Sequence, residues 1–214
     1  MVPTASPTSS ARDLEQRHGA RNYHPLPVTL VRGEGVFLWD DQGRRYLDMM
    51  SAYSAVSFGH SHPTLVQVLT EQAGRLAVTS RAFHTDRLGP FLARLCRDTG
   101  MERALPMNTG AEAVETALKA ARKWGYKIKG VPEGQARIVV AEGNFAGRTT
   151  TIVGFSSEAQ YRDGFGPFAP EVYRLPFPDL YRRPPHLSDE EVVAEAIAGL
   201  ERARLVKYHR PSEY

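Results

Sequence analysis

The sequence predicts an α/β fold in which helices pack on a mainly parallel sheet, preceded by a β-hairpin segment. Two short strand-like runs, at 36–39 and 45–47, flank a DDQG turn at 40–43, a pattern typical of a β-hairpin. Helical and strand-like patterns then alternate through the middle of the chain, which favours α/β packing. The 214 residues are 42% hydrophobic and 24% charged, so the composition is that of an ordinary folded protein.

The N-terminal segments differ from one another in composition. Residues 1–20 are rich in Ser, Thr, Pro and charged side chains, which predicts a mobile leader. Residues 21–50 contain the hairpin, and 51–63 are small, polar and glycine-containing, which indicates a loop. A helix is then predicted by apolar residues at helical spacing, namely Leu65, Leu69, Ala73 and Leu76.

Two amphipathic helices and one strand are predicted in the middle of the chain. The first helix is followed by Gly100 as a stop signal, and its apolar face consists of Leu88, Phe91, Leu92, Leu95 and Cys96. The second begins near Thr109 and ends before Gly125, with an apolar face of Val114, Ala117, Leu118 and Ala121. The run RIVVA at 137–141 is bounded by turn residues, which predicts a buried strand.

The C-terminal part begins with a stretch rich in Gly and Pro at 143–178. A last helix is predicted after Ser188, because Glu191 three residues later completes a capping box. Its apolar face consists of Val193, Ala196, Ile197 and Leu200.

Charge and composition argue against several classes of protein. The net charge is +3 and the pI about 9.1, but the arginines are scattered, which indicates a mildly basic surface and no nucleic-acid partner. No apolar run approaches the roughly 20 residues of a membrane span, and residues 1–20 do not have the pattern of a signal peptide. Cys96 is the single cysteine, which fits a reducing compartment. We therefore expect a cytoplasmic protein.

The strongest local signal for a ligand site is LPMNTGAEA at 105–113. Thr109 suits the N-cap of a helix, and Glu112 at the third helical position would complete a capping box. Gly110 and Ala111 would then present free backbone N–H groups, which bind phosphate with the help of the helix dipole. The alternative is a well-capped helix with no ligand, and spacing alone favours that alternative.

A second signal, GNFAGRT at 143–149, directly follows the predicted strand. Ligands of open α/β sheets bind beyond the carboxyl ends of strands, where this loop would lie. Phe145 could stack on a planar ring, and Arg148 could bind a carboxylate through two hydrogen bonds. The alternatives are a core position for Phe145 and a surface ion pair for Arg148, and the residues alone do not separate these interpretations.

A third signal is the presence of Tyr23, Tyr53, His60 and His62 in turn-rich segments. A tyrosine hydroxyl on a loop can contact a polar substrate. One His-Ser-His alternation is weak evidence for a metal, so structural roles are favoured for the two histidines.

Several motifs, found in order along the chain, together resemble the class III aminotransferases. They are GEGVFLWDDQGRRYLD, the SFGHSHP turn, NTGAEAVETALKAARKWG and the FAGRT loop. Within the family, the resemblance is to the branch that acts on ornithine, through RNYHPLPV, SAYSAV, TSRAF, LPMNTGAEAVETALKAARKWGY, GNFAGRT and YRDGFGPF. It extends over about residues 21–180.

The resemblance implies a fold, a cofactor and an oligomeric state. The family uses pyridoxal 5′-phosphate (PLP) on a fold of the aspartate-aminotransferase type. Residues 51–180 would form part of the PLP-binding large domain, after the hairpin segment at 21–50, and 181–214 would be a divergent helical tail. The family acts as a dimer with active sites at the subunit interface, which implies a homodimer for the complete protein.

The resemblance also implies roles for residues of the cofactor site. Thr109, Gly110 and Ala111 would hold the PLP phosphate, and Phe145 would stack on the pyridine ring. Ala146 stands where the family has tryptophan.

Three further residues would bind the substrate. Arg148 would bind the α-carboxylate of the substrate. Tyr23 and Tyr53 resemble the tyrosines that orient ornithine so that its δ-amino group, and not its α-amino group, meets the cofactor. Related acetylornithine and 4-aminobutyrate enzymes usually lack tyrosine at the position of Tyr53.

The resemblance implies a lysine that forms a Schiff base with PLP and an acid that pairs with the pyridine nitrogen, both further along the family's chain. None of the five lysines matches that position. Lys119, Lys123 and Lys127 repeat every fourth residue of a predicted helix, which indicates a solvent-facing side, and Lys207 lies in an unmatched tail. We therefore predict no catalytic residue here and little or no transaminase activity from this chain alone.

The implied reaction converts ornithine and 2-oxoglutarate to glutamate 5-semialdehyde and glutamate. Two alternatives stay open. The chain could belong to an acetylornithine or 4-aminobutyrate enzyme of the same family. It could also be a non-catalytic half-chain that binds a partner subunit, such as a complementary C-terminal chain, because a half-built sheet leaves apolar surface to cover.

Overall fold

The computed structural model describes residues 10–202 of the chain. These residues divide into two compact units, with the boundary between Gly89 and Pro90. Lys207 and the rest of the C-terminal tail lie outside the described residues.

The first unit begins with a helix, α1 (Ala11–His18), within the segment predicted as a mobile leader. Ser10 Oγ accepts a hydrogen bond from the Asp13 N–H, and the Asp13 carboxylate accepts one from the Ser10 N–H, both at 3.1 Å. This reciprocal cap satisfies two N–H groups that lack helical partners. This helix was not predicted, because the composition of residues 1–20 was weighed and the local capping pair was overlooked.

A three-stranded antiparallel sheet follows, with β1 (Leu30–Glu34), β2 (Phe37–Asp40) and β3 (Arg45–Leu47) in that order across the sheet. The predicted hairpin of β2 and β3 is confirmed. Strand β1 was not predicted, because its sequence LVRGE is short and half polar and lacks the alternation that signals a strand.

The turn between β2 and β3 is organised by the buried carboxylate of Asp40. It accepts hydrogen bonds from the Gln42 N–H, the Arg44 N–H, the Arg44 Nε and the Tyr46 hydroxyl, at 2.7–3.0 Å. Burial by itself raises the pKa of Asp40, but the bonds donated by Arg44, Tyr46 and Gln42 outweigh it and lower the pKa to about 2.

Two helical elements complete the ordered structure of the first unit. The predicted loop at 51–63 contains one short helical turn, α2 (Ser51–Ser54). The next helix, α3 (Pro63–Arg75), confirms the helix predicted from apolar spacing, and Pro63 occupies its first turn, where a missing N–H costs nothing.

The boundary between the units falls in the first turn of α4 (Leu88–Thr99), and α5 (Gly110–Lys127) follows in the second unit. Gly100 has a φ of +71° and ends α4 as predicted. Helix α5 does not end before Gly125, so that boundary was wrong. Gly125 is buried inside the helix, which continues to Lys127.

The sheet of the second unit consists of two parallel strands in the described residues, β4 (Ile138–Ala141) and β5 (Val172–Leu175). Their parallel pairing confirms the predicted arrangement. Strand β4 was predicted to be buried, and this was wrong, because alternate residues face solvent. Strand β5 was missed within the stretch rich in Gly and Pro.

The core of the second unit forms around a 3-10 helix, Ile152–Phe155, which was also missed. The buried apolar side chains are those of Ala136, Ile152, Val153 and Phe155. The remaining helices are α6 (Ala159–Arg162) and α7 (Asp189–Arg202). The Ser188–Glu191 capping box predicted for α7 is confirmed, with bonds of 2.7 and 3.2 Å. No helix within 10–202 has the length and apolarity needed to cross a membrane.

Candidate functional site

One of the two hydrogen bonds of the predicted capping box is present in the first turn of α5. Thr109 Oγ1 accepts a hydrogen bond from the Glu112 N–H at 3.1 Å. The Glu112 carboxylate accepts one from the Asn108 N–H at 2.9 Å, one residue before the position predicted by the capping box. The reciprocal half of that prediction was wrong, because the chain enters the helix with the Asn108 N–H turned toward the carboxylate.

The helix start offers an open pair of main-chain donors. Within residues 10–202, the N–H groups of Gly110 and Ala111 have no hydrogen-bond acceptor. A Cβ built on Gly110 would meet nothing within 4 Å, so this end of the helix is accessible to a bulky anion. Free N–H groups and the positive end of the helix dipole favour phosphate here.

The GNFAGRT loop leaves the carboxyl end of β4 and is fixed by hydrogen bonds to its surroundings. The Gly143 N–H donates to Ser157 Oγ at 2.8 Å. Asn144 Nδ2 donates to the carbonyl oxygens of Ala141 and Phe155, at 2.6 and 2.9 Å. The Thr149 hydroxyl donates to the Glu115 carboxylate on α5. The loop is therefore tied to the strand, to the 3-10 helix and to α5.

The loop also packs directly on the first turn of α5 through Gly147. A Cβ added to Gly147 would lie 3.1 Å from Ala111 Cβ and 2.4 Å from Ile152 Cδ1, and the φ of Gly147 is +125°. Only glycine allows this approach without displacement of its neighbours. The two strongest sequence signals thus form one site, a contact that local spacing could not reveal.

Phe145 and Arg148 lie together with an aromatic residue that the sequence analysis missed. The Phe145 ring is 65% exposed in the described part of the chain. Its centroid is 6.3 Å from that of Tyr161, edge to face. The Arg148 guanidinium carbon is 5.8 Å from the Phe145 centroid and 5.4 Å from the Tyr161 centroid. Tyr161 gave no sequence signal beyond its residue type.

In the first unit, Tyr53 lies on a left-handed turn. The φ values of the four α2 residues run from 45° to 71°, although none of them is glycine. Left-handed backbone costs about 1–2 kcal/mol per residue for L-amino acids, so other interactions must hold this turn. The Tyr53 side chain is 86% exposed. Tyr23 lies between α1 and β1 and is also exposed.

His60 contacts an acid next to this turn. Its Nε2 lies 2.7 Å from Asp48 Oδ2. Hydrogen bonds from the Ser51 N–H and from His60 lower the pKa of Asp48. Across residues 10–202, no three His, Cys, Asp or Glu side chains gather as a metal site would require.

The sequence profile of the class III aminotransferases matches residues 18–207. The chain belongs to the class III aminotransferases. Its relatives include the ornithine aminotransferases of Halalkalibacterium halodurans, 53% identical over 175 residues, and of Bordetella pertussis, 57% identical over 176 residues. Each comparison covers 82% of this chain but only 44% and 43% of the relative. This class III chain thus spans less than half the length of these relatives.

Solved structures of class III enzymes share the fold. The ornithine aminotransferase of Toxoplasma gondii superposes with a TM-score of 0.77 at 36% identity, over 82% of this chain and 42% of that one. The acetylornithine aminotransferase of Elizabethkingia anophelis superposes with a TM-score of 0.68 at 42% identity, over 92% and 40%. The predicted α/β fold of a partial aminotransferase domain is therefore confirmed.

The residues present fit the cofactor of this family. A second Toxoplasma gondii structure is described with PLP at the active site. In this chain the open N–H pair of Gly110 and Ala111 suits a phosphate, and the exposed face of Phe145 suits an aromatic ring. Both belong to one packed site, because Gly147 lies against Ala111.

Proposed function

We propose that this chain supplies the cofactor-binding and substrate-binding residues of a PLP-dependent ornithine δ-aminotransferase. The reaction transfers the δ-amino group of ornithine to 2-oxoglutarate and forms glutamate 5-semialdehyde and glutamate. One observation carries the proposal: the helix start and the GNFAGRT loop pack together, in a chain more than 50% identical to ornithine aminotransferases over 82% of its length.

The cofactor would be held mainly by the second unit. The N–H groups of Gly110 and Ala111 bind the phosphate, and the Thr109 hydroxyl, which accepts from Glu112, keeps its own proton to donate. Phe145 stacks on the pyridine ring. PLP supplies an electron sink for charge that develops on the substrate. The protein's part is to hold the phosphate and ring in one orientation while it positions the substrate.

The substrate would be bound through its carboxylate and oriented by tyrosines. Arg148 presents a guanidinium group that can bind the α-carboxylate through two parallel hydrogen bonds. Its contacts with the Phe145 and Tyr161 rings limit the orientations of that group. The exposed Tyr53 and Tyr23 side chains would contact the substrate and direct its δ-amino group to the cofactor.

The lysine that carries the cofactor is proposed to come from a segment other than this chain. Three of the five lysines lie along α5 and Lys129 stacks on Trp124, while Lys207 lies outside the described residues. We expect the purified 214-residue chain to show no steady turnover of ornithine. Sustained formation of glutamate 5-semialdehyde by this chain alone would refute this part of the proposal.

A second subunit is proposed to cover apolar surface of the first unit. The side chains of Leu26, Met49, Phe58 and Val78 are all exposed, and exposed apolar surface of this kind marks interaction sites where it is contiguous. We expect a homodimer when the lysine-bearing segment is present. Sedimentation of that assembly tests this, and a monomer at all concentrations would contradict it.

The phosphate site is tested with a ligand that cannot react with lysine. Pyridoxine 5′-phosphate and pyridoxine, which lack the aldehyde, are titrated into the chain by calorimetry. We expect the phosphorylated compound to bind at least about tenfold tighter, because the helix start contributes charge-favoured hydrogen bonds. Equal affinities would refute the assignment of Gly110 and Ala111.

Substrate choice is tested in the preparation that contains the lysine-bearing segment. Ornithine, N-acetylornithine and 4-aminobutyrate are compared as amino donors, with Tyr53→Ile as the variant and Tyr181→Ile, at an exposed tyrosine outside the proposed site, as its control. We expect ornithine to be preferred and Tyr53→Ile to reduce that preference. Preference for another donor would assign the chain to a different specificity within the family.

A further inference from the structure

The left-handed turn that carries Tyr53 needs support from outside itself. Within and around the turn, the Tyr53 N–H donates to the Met50 carbonyl and the Val56 N–H to the Ser51 carbonyl, at 3.0 and 3.1 Å. Consecutive non-glycine residues persist in this conformation only where their surroundings over-determine it. The question is therefore which groups hold the turn in place.

Asp48 uses both carboxylate oxygens next to the start of this turn. Oδ1 accepts hydrogen bonds from the Met50 N–H at 3.0 Å and from the Ser51 N–H at 2.8 Å. Oδ2 lies 2.7 Å from His60 Nε2. The Asp48 side chain is nearly buried and that of His60 is mostly so, which strengthens these bonds relative to exposed ones.

His60 is in turn fixed to the three-stranded sheet by its backbone. Its N–H donates to the Gly35 carbonyl at 2.8 Å, and its carbonyl accepts from the Gly35 N–H at 3.0 Å. A Cβ added to Gly33 would lie 2.8 Å from His60 Cβ and Cγ, so the glycine of β1 makes room for this side chain. A continuous path of contacts thus runs from the sheet through His60 and Asp48 to the turn.

We propose that Asp48 and His60 are positioning residues that hold the Tyr53 turn in its left-handed conformation and thereby set the preference for the δ-amino end of ornithine. The effect on the preference for the δ-amino end of ornithine rests on the proposed function. Neither residue is assigned a contact with substrate, because Asp48 faces the Ser51 backbone on one side and His60 on the other. Their effect passes through the placement of the Tyr53 side chain.

The first test measures the turn itself by hydrogen exchange and mass spectrometry on the 214-residue chain. We expect Asp48→Ala to speed exchange in peptides covering 48–57 by about tenfold, because it removes the acceptor of two N–H groups. Asp48→Asn should stay close to the parent, since its amide oxygen still accepts from those N–H groups and its NH₂ can donate to His60. The control, Asp86→Ala, removes an exposed acid paired with Arg75 in the same unit.

Two outcomes of this test overturn the proposal. Unchanged exchange at 48–57 in Asp48→Ala would show that the turn does not depend on the carboxylate. Equal acceleration in Asp86→Ala would show that any loss of an acid in this unit has the same effect. His60→Ala should speed exchange less than Asp48→Ala, because the Asp48 contacts to Met50 and Ser51 remain.

The second test measures regiochemistry with two stable probes, the 5′-phosphopyridoxyl adducts of ornithine linked through the δ-nitrogen or through the α-nitrogen. In the preparation that contains the lysine-bearing segment, we expect the δ-linked adduct to bind at least about tenfold tighter, and Asp48→Ala to reduce this ratio while Asp48→Asn preserves it. A general loss of folding would weaken both adducts alike and leave the ratio unchanged.

The two readouts separate failure of the inference from failure of the proposed function. If the parent binds both adducts equally, the proposed ornithine site fails, whereas exchange at 48–57 still decides whether the pair holds the turn. If Asp48→Ala loosens the turn and the adduct ratio stays constant, the positioning role in substrate choice is overturned.

Discussion

Replacement of Gly147 by alanine is expected to damage the candidate cofactor site and the core beneath it. The added Cβ would lie 2.4 Å from Ile152 Cδ1 and 3.1 Å from Ala111 Cβ. Because Ile152 is fully buried, overpacking should cost about 1–3 kcal/mol. The φ of +125° adds a further 1–3 kcal/mol or so for a residue with a side chain, which gives about 2–6 kcal/mol in total.

The assay is urea unfolding followed by tryptophan fluorescence in a Trp39→Phe background, which leaves Trp124 of α5 as the single reporter. Gly134→Ala is the matched control, since Gly134 has a φ of +77° and a Cβ there would meet nothing within 4 Å. Gly134→Ala should therefore lower the free energy of unfolding only by the cost of the left-handed backbone, about 1–2 kcal/mol. The same variants are titrated with pyridoxine 5′-phosphate, whose affinity should fall in Gly147→Ala only.

A second variant keeps the prediction testable if Gly147→Ala does not fold. Ile152→Val removes the methyl group that the new Cβ would strike and by itself costs about 0.5–1.5 kcal/mol. The double variant should therefore be more stable than the sum of the two single changes predicts, by about 1 kcal/mol or more. Strict additivity, or a Gly147→Ala cost no larger than that of Gly134→Ala, would refute the packing argument.

Three further outcomes are expected from the same unfolding assay. Thr109→Ala should lower the free energy of unfolding by about 1 kcal/mol, because the Glu112 N–H loses its cap. Thr109→Ser should keep most of the stability that the cap contributes. Phe155→Ala should cost about 3–5 kcal/mol as a core cavity, whereas the exposed Phe165→Ala should stay within about 0.5 kcal/mol. The pKa of Asp40 is lower in the folded protein than its ordinary value of 3.8, so the ionised carboxylate stabilises the fold at pH values above 3.8. This contribution is lost as the pH falls from 3.8 toward about 2. Asp40→Asn should therefore flatten the pH dependence of stability in that window relative to Asp41→Asn, and parallel profiles would contradict the assignment.

The features that the sequence predicted correctly are governed by residues close together in the chain. The caps at Thr109 and Ser188 act within one helical turn, so the residue types at these positions predict them. The hairpin turn at 40–43 is similarly local. The error at Gly125 arose because glycine ends some helices and lies inside others.

The features that the sequence did not reveal depend on distant parts of the chain. The contact of Gly147 with Ala111 forms only when the loop after β4 returns to α5. Strand β5 is recognisable only through its pairing with β4. The left-handed conformation at Tyr53 has no local signal at all, because serine, alanine and tyrosine do not favour it. The Asp48 carboxylate, which accepts hydrogen bonds from the Met50 and Ser51 N–H groups, pairs with His60 after the turn.

These contacts bear on Ala146, where the family resemblance implies a tryptophan between Phe145 and Gly147. Alanine cannot supply the packing surface of a tryptophan. In this structure the Phe145 ring instead meets the edge of Tyr161, and the Arg148 guanidinium lies near both rings. Aromatic edge contacts contribute about 0.5–1.5 kcal/mol, enough to bias the orientation of an exposed ring. If Phe145 stacks on the cofactor ring as proposed, its orientation should therefore depend on Tyr161 here, while Gly147 still packs the loop against the first turn of α5.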